Sequence, residues 1–394
     1  MVAGASIAGP ALAHWLRRRG ADVTVVERAP RLRPGGQAVD ARGVTREVIR
    51  RMGLDAAVRA ARTDTAGAHT VAADGTVLET FRADDDGGDG YIAEIEILRG
   101  DLSAVLYEDT RDDVEYVFGD RIAELAQDAD GVDVVFASGG RRRFDLVVGA
   151  DGLHSALRAM VFGPHERFVR HLGQVLAFYS VPNEFGLDRW LVDYQASGRS
   201  AALRPIRDAT QAMAIFSFSA PGLDVDYRDV DAQKRLLRER MADMGWLTPR
   251  ILAHLDDAPD FYLDQVAQVV MDRWSSCRVG LLGDAAFSSS PFSGQGTGLA
   301  LVGAYLMAGE LAAAGWDPAA GFAGYEVRMR SFVEANQEIG RLHAHSRDAG
   351  GPDAAPEPAE WDMGLIERAI NGVELPDYAG VPDSGCRTAC SGLT

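Results

Sequence analysis

Lysine is nearly missing from the 394-residue chain: of its 40 basic residues only Lys234 is a lysine, and it sits in the charged amphipathic stretch Asp231–Arg240. A P-loop needs Gly-Lys-Ser/Thr, and a pyridoxal enzyme needs a Schiff-base lysine in a pocket. Both classes are excluded. Positive charge is scarce as well, 40 basic against 58 acidic residues for a net charge of −18. That balance argues against duplex nucleic acid or an anionic membrane surface as partner. The three cysteines, Cys277, Cys386 and Cys390, form neither a disulfide framework nor a zinc spacing, and the eight histidines show no metal-ligand pattern. The apolar first sixteen residues precede the cluster Arg17-Arg18-Arg19, whereas a signal peptide carries its positive charge first. We read a cytoplasmic protein. The run Thr297–Trp316 is built from Gly and Ala and carries Glu310, which suits a buried core helix better than a membrane span.

At roughly 150 residues per domain the length allows two or three domains, and 47% hydrophobic residues supply a large core. The opening reads as a glycine turn, a helix over 4–19 and the β-branched strand Ala21–Glu27, the run expected of a parallel sheet. A Pro/Gly loop leads to a helix near 43–52 and two short strands around Asp74-Gly75. Asp84–Asp89 reads as a solvated turn. Helix 99–110, strands near 114–137 and the strand Phe144–Gly149 follow. From about residue 168 the pattern changes to alternating runs, Leu172–Val181, Trp190–Gln195, Ser200–Ile206 and Gln211–Phe218, which mark an antiparallel sheet. A charged helix (Asp229–Met244) and the strand Phe261–Met271 complete that block, and α/β style returns with strand Arg278–Gly283 and helix 297–315. The expected fold class is therefore α/β, a Rossmann-like domain interrupted by an antiparallel-sheet substrate domain. The boundaries are 1–167 and 275–346 for the split domain, which ends in a C-terminal helix, 168–274 for the insert, and 347–394 for a linker and weakly structured tail.

Three glycine-rich motifs carry the chemistry. The first is Gly4-Ala-Ser-Ile-Ala-Gly9 with Glu27 about 20 residues on, the dinucleotide fingerprint with Ser6 in place of the second glycine. Such a turn brings the backbone against a pyrophosphate, aims a helix N-terminus at it and offers an acidic acceptor to a ribose. The second is Asp151-Gly152, ending a strand and opening a helix. The third is the run 280–298, which delivers Asp284 to the end of a strand and continues through Gly294-Gln-Gly-Thr-Gly298.

In that order, with Arg99 in Leu98-Arg-Gly-Asp-Leu102 between them, the motifs resemble the class A flavoprotein monooxygenases of the p-hydroxybenzoate hydroxylase type over about residues 1–345. Nearest in character are the tetracycline-inactivating hydroxylases and the tailoring enzymes of aromatic polyketides. The resemblance implies FAD as cofactor and NADPH or NADH as transient donor. It places the FAD pyrophosphate between Gly4, Ser6 and Gly9, the adenosine ribose on Glu27 with Arg28 beside the adenine, and Arg99 on the phosphate and ribityl side. Asp284 would bind ribityl or phosphate-side hydroxyls, and Gly294, Gly296 and Thr297 would point a helix N-terminus at the flavin pyrimidine ring, where reduction places negative charge. Gln37 and Asp40 would lie under the ring, and Asp151 and Gly152 would serve both FAD and NADPH. Phe287 stands where a histidine is frequent, Gly298 where an asparagine is, and Cys277 where glycine is common; Cys277 and Phe287 read as packing residues.

The implied reaction adds dioxygen at the flavin C4a position and transfers one oxygen from the hydroperoxide to a hydrophobic aromatic or polyketide-like small molecule, so no protein nucleophile is required. The expected substrate lining is Phe178, Tyr194, Arg204, Phe216, Phe218 and Phe292, and His154 is the one histidine close to a motif. The same scaffold also suits a ligand-binding relative without NADPH turnover, or an oxidase or Baeyer–Villiger enzyme.

Overall fold

The computed structural model describes residues 1–83, 89–90, 92–206, 208–223, 226, 228–349 (backbone alone for 347–349) and 362–378. The expected acidic turn 84–89 falls mostly outside them, as do the linker 352–358, Cys386 and Cys390. A six-stranded sheet forms the first layer, in the order Ser275–Ser276, Val279–Leu281, Val147–Gly149, Val2–Ala3, Thr24–Glu27, Glu115–Phe118. All neighbours are parallel except the first pair. Only two residues long, Val2–Ala3 is nevertheless the central strand. After it the chain builds outward through 24–27 and 115–118 and then returns to its other side at 147–149. That reversal makes a crevice at the carboxyl ends of strands 2–3 and 147–149, where open α/β sheets bind ligands.

Helix Gly296–Ala313 packs between helix Ala8–Arg17 and the long helix Pro318–Ala349. It is long and apolar enough to cross a membrane, yet it is almost entirely buried inside the molecule. As the sequence suggested, it is a core helix. Phe287 is buried against Trp274, ring centroids 4.7 Å apart, and against Tyr325 at 6.5 Å. Cys277 occupies the turn before strand 279–281 with φ +52°, a left-handed conformation that glycine adopts without cost.

The second layer is a seven-stranded sheet in the order Tyr262–Val269, Val169–Pro182, Gln211–Ser219, Arg199–Pro205, Trp190–Ala196, Gly67–Val71, Val77–Arg82. Its last two strands come from the segment expected to belong to the first domain. Strand 67–71 runs parallel to 190–196, with Trp190 opposite Gly67 and the Trp190 ring stacked 4.3 Å from His69. One face of this sheet is covered by helices Val230–Met241 and Thr248–Ala253 through Val175, Tyr179, Leu203, Leu237, Met241 and Ile251. Tyr194, Phe216 and Phe218 belong to that covered core, which corrects their expected place in the substrate lining. Alternation at period two sends Phe178 and Arg204 to the other face.

The described part of the tail is ordered, against expectation. Helix Met363–Asn371 packs Leu365 and Ala369 on Ala335 and Ile339, and Asn336 Nδ2 donates to the Ala369 carbonyl at 3.0 Å. Beyond it Arg51 donates to the Leu375 and Pro376 carbonyls at 3.2 and 3.1 Å, and Tyr378 donates to Glu310 at 2.5 Å.

Candidate active site

The glycine turn is held by its neighbours on every side. Ala5 N–H donates to Glu27 Oε2 and Ala29 N–H to Oε1, both at 2.9 Å, so the carboxylate ties the turn to the end of strand 24–27. Gly4 N–H donates to the Val26 carbonyl at 2.8 Å. A Cβ on Gly9 would land inside the Gly4 carbonyl, so only glycine lets helix Ala8–Arg17 start this close to the turn. Arg28 is exposed beside it.

Arg99 opens helix Arg99–Thr110 and reaches across to donate to Ser6 Oγ at 3.0 Å. Its own N–H donates to the Gln37 carbonyl at 3.0 Å, and that of Gly100 to the Gly35 carbonyl at 2.8 Å, which fixes the loop 33–37 against the helix start. Burial, and Arg33 nearby, pull the Arg99 guanidinium below its ordinary value. Asp284 is open to the crevice, yet protein crowds it on its other sides; burial pushes its carboxyl up, against a bond to Ser288 and the attraction of Arg99. Next to it Gly296 starts the 18-residue core helix, whose first N–H groups have no intrahelical partner. A Cβ on Gly298 would sit 2.6 Å from Thr45 Oγ1. Thr45 is fully buried, which is why the frequent asparagine finds no room here.

Asp151 is committed locally. Its carboxylate accepts from Ser155 Oγ at 2.5 Å and from the N–H groups of Ala156 and Leu157 at 2.8 and 3.1 Å, starting helix Ala156–Phe162. Phe292 is half-buried, and its carbonyl lies 2.6 Å from His343 Nδ1.

A charged cluster forms where the two layers meet. Strands Ala38–Ala41 and Ile95–Leu98 pair antiparallel with Asp40 opposite Glu96. Glu96 is ion-paired with Arg204 and accepts from Thr63 and Thr65 Oγ1, each at 2.6 Å. Burial pushes Glu96 up, but Arg204 and the two hydroxyls outweigh it and hold the carboxyl below its ordinary value. Asp40 accepts from Arg42 at 2.6 Å, and burial, with Glu96 opposite, moves it up. Two facing carboxyls are thus driven apart, Glu96 downward and Asp40 upward. Sequence reasoning missed Glu96, Arg42, Thr63, Thr65, Tyr262 and Asp264; only the strand pairing shows them. Among the described residues no group of His, Cys, Asp and Glu is placed to hold a metal ion.

An FAD binding domain family matches residues 1–338. The chain belongs to the class A flavoprotein monooxygenases. The flavoprotein is 45% identical to an uncharacterised protein of Mycobacterium tuberculosis, the match covering 96% of this chain and 99% of the other. It is 37% identical to a flavin-dependent monooxygenase of Legionella longbeachae, over 96% and 97% of the two chains. Among solved structures, tetracycline destructase Tet(51) superposes with a TM-score of 0.85 at 37% identity, covering 96% of this chain and 98% of that one. FAD is the cofactor of this monooxygenase. The crevice suits it physically: backbone N–H groups of a glycine turn, a guanidinium at the turn's mouth, an open carboxyl and a helix N-terminus all converge where the sheet order reverses.

Proposed function

We propose that this flavoprotein is an NAD(P)H-dependent hydroxylase of an oxygen-rich aromatic or polyketide-like small molecule. The observation that carries the reading is the junction between the layers, where Arg204, on the same sheet face as Phe178, meets Glu96 of the strand pair 38–41/95–98, with Asp40 and Arg42 beside it. Such a wall suits a flat ring system bearing ionisable oxygens better than a plain hydrocarbon. The names of the relatives agree: Tet(51) is a tetracycline destructase, and an FAD-dependent monooxygenase of the fungus Sarocladium schorii is 35% identical over 86% of this chain.

Bound FAD supplies hydride acceptance from a nicotinamide and activation of dioxygen for transfer to an electron-rich ring. The chain supplies binding and orientation. Gly4, Ser6 and Gly9 would hold the pyrophosphate, Glu27 the ribose, and Arg28 the adenine side. Arg99 and Asp284 would hold the ribityl and phosphate region, and the helix start at Gly294, Gly296 and Thr297 would offer its N–H groups to the pyrimidine ring. Gln37 and Asp40 would line the crevice beneath, Asp151 and Gly152 would serve both FAD and the nicotinamide donor, and Arg204 would orient an anionic oxygen of the substrate.

Purified holoprotein mixed with NADH or NADPH and a panel of phenolic and polycyclic compounds, a tetracycline among them, tests this. We expect nicotinamide oxidation to accelerate with at least one oxygen-rich polycycle, and Arg204→Met to raise KM for it more than it lowers kcat. FAD-loaded protein that consumes neither nicotinamide would contradict it.

A further inference from the structure

Three side chains that the proposed roles leave unused form a hydrogen-bonded chain across the junction of the two layers. Tyr262 begins the edge strand 262–269, and its side chain is 50% exposed. Its ring stacks on Phe178 with centroids 6.2 Å apart, on the sheet face that also carries Arg204. Burial and Asp264 raise its phenol, within the field of Asp284 and Arg99. The hydroxyl donates to Asp264 Oδ2 at 2.9 Å. Residues 262 and 264 stand at i and i+2 on a strand and so share a face. The same Oδ2 meets His154 Nε2 at 2.8 Å, while Oδ1 accepts from the Gln265 N–H at 2.8 Å.

His154 comes from the other layer, three residues past Asp151. Its ring stacks on His165 at 5.4 Å, and His165 Nδ1 lies 3.0 Å from an Arg158 guanidinium nitrogen. The middle of the chain is drier than its ends: the side chain of Asp264 is 14% exposed and that of His154 28%. Although burial works to raise Asp264, His154 and Tyr262 keep its carboxyl below the ordinary value, so a proton taken up there is readily passed on.

We propose that Tyr262, Asp264 and His154 form a relay that brings a proton from bulk solvent across the junction of the two layers into the FAD crevice. The chemistry of the cofactor requires such a supply. Reoxidation of two-electron-reduced flavin by dioxygen takes up one proton (FADH⁻ + O2 + H⁺ → FAD + H2O2), and so does each hydroxylation (RH + O2 + NAD(P)H + H⁺ → ROH + NAD(P)⁺ + H2O). In the relay, the Tyr262 hydroxyl turns from Asp264 to give its proton to an acceptor in the crevice, and its oxygen then takes one from Asp264. Asp264 takes the Nε2 proton of His154, and the partly exposed His154 ring regains one from the solvent side. Only O–H and N–H bonds form and break, and no electrons leave the three residues.

The relay rests on FAD binding alone and not on the substrate reading, so its test omits substrate and nicotinamide. Photoreduced holoenzyme is mixed with aerated, weakly buffered solution containing a pH indicator, and proton uptake is followed beside flavin reoxidation. We expect Asp264→Asn and Tyr262→Phe to slow uptake about tenfold or more with flavin content unchanged, and His154→Gly to be restored by added imidazole. Uptake at the wild-type rate in Asp264→Asn, or failure of imidazole to restore His154→Gly, would overturn the relay and leave the three residues as a clamp between layers. A second readout needs no flavin. In the ¹⁵N-histidine-labelled apoprotein, Tyr262→Phe removes one oxygen from a half-exposed ring and leaves the fold intact. It should still move the His154 ring resonances through the shared Oδ2, and unmoved resonances contradict the coupling.

Discussion

Asp284 bears a cost in the folded chain that its proposed part in FAD binding would explain. Burial disfavours its ionised form in the folded chain, so it binds its proton more tightly folded than unfolded. Below the ordinary aspartate value of 3.8 it is protonated in both states and contributes no difference; as pH rises through the raised folded value, the folded state loses stability relative to the unfolded one. Asp284→Asn is therefore expected to raise the Tm of the flavin-free protein at neutral pH, with the gain vanishing in acid, which thermal melts across pH will read. Lost hydrogen bonds to a charged group, worth about 1.5–3 kcal/mol, should weaken FAD affinity by roughly tenfold to a hundredfold. Stability and affinity moving in the same direction would refute the assignment. Asp284 and Arg99 could be singled out as candidates because each stands in a motif. Tyr262 and Asp264 were not: they lie in an ordinary-looking strand, and their partner His154 is 110 residues away in the chain.

At the scale of elements, strand 95–98 couples the layers, because Glu96 joins Thr63, Thr65 and Arg204 from two other segments. Glu96→Gln leaves the Arg204 charge buried without its anion, and breaking a buried pair in this way costs about 3–5 kcal/mol. Since the folded Glu96 value lies below the ordinary 4.5, its contribution is present above that pH and is lost as pH falls through the folded value. Urea melts should show a large gap between wild type and variant at neutral pH that closes in strong acid; a constant gap would assign the loss to packing. Strand positions in the insert were readable from alternation, but alternation defines two faces without saying which one meets the crevice. Phe216 and Phe218 went to the helix-covered side for that reason. Hairpin 67–82 was misassigned because its pairing with strand 190–196 spans more than a hundred residues, and helix 363–371 was hidden within a Gly-, Ser- and Pro-rich tail.

Across the whole molecule, the scarcity of cations sets how the cofactor arrives. FAD is an anion, and a chain of net charge −18 repels it at long range. Raising ionic strength from about 0.01 M to about 0.15 M shortens the screening length from about 30 Å to about 8 Å. Stopped-flow association of FAD with the flavin-free chain should therefore accelerate with salt, the reverse of steering by a basic patch; slowing would mean that Arg28 and Arg99 dominate the approach. Fold class, the split Rossmann-like domain and the cofactor were all readable from three ordered motifs, whereas the charged junction became visible only in three dimensions. Together this junction and the FAD crevice make the hydroxylase that we propose. Its most direct test is turnover under ¹⁸O2 with mass analysis of the product. One labelled oxygen atom incorporated as a hydroxyl is expected; product without label, or label recovered only in peroxide, would mean that the enzyme is not a hydroxylase.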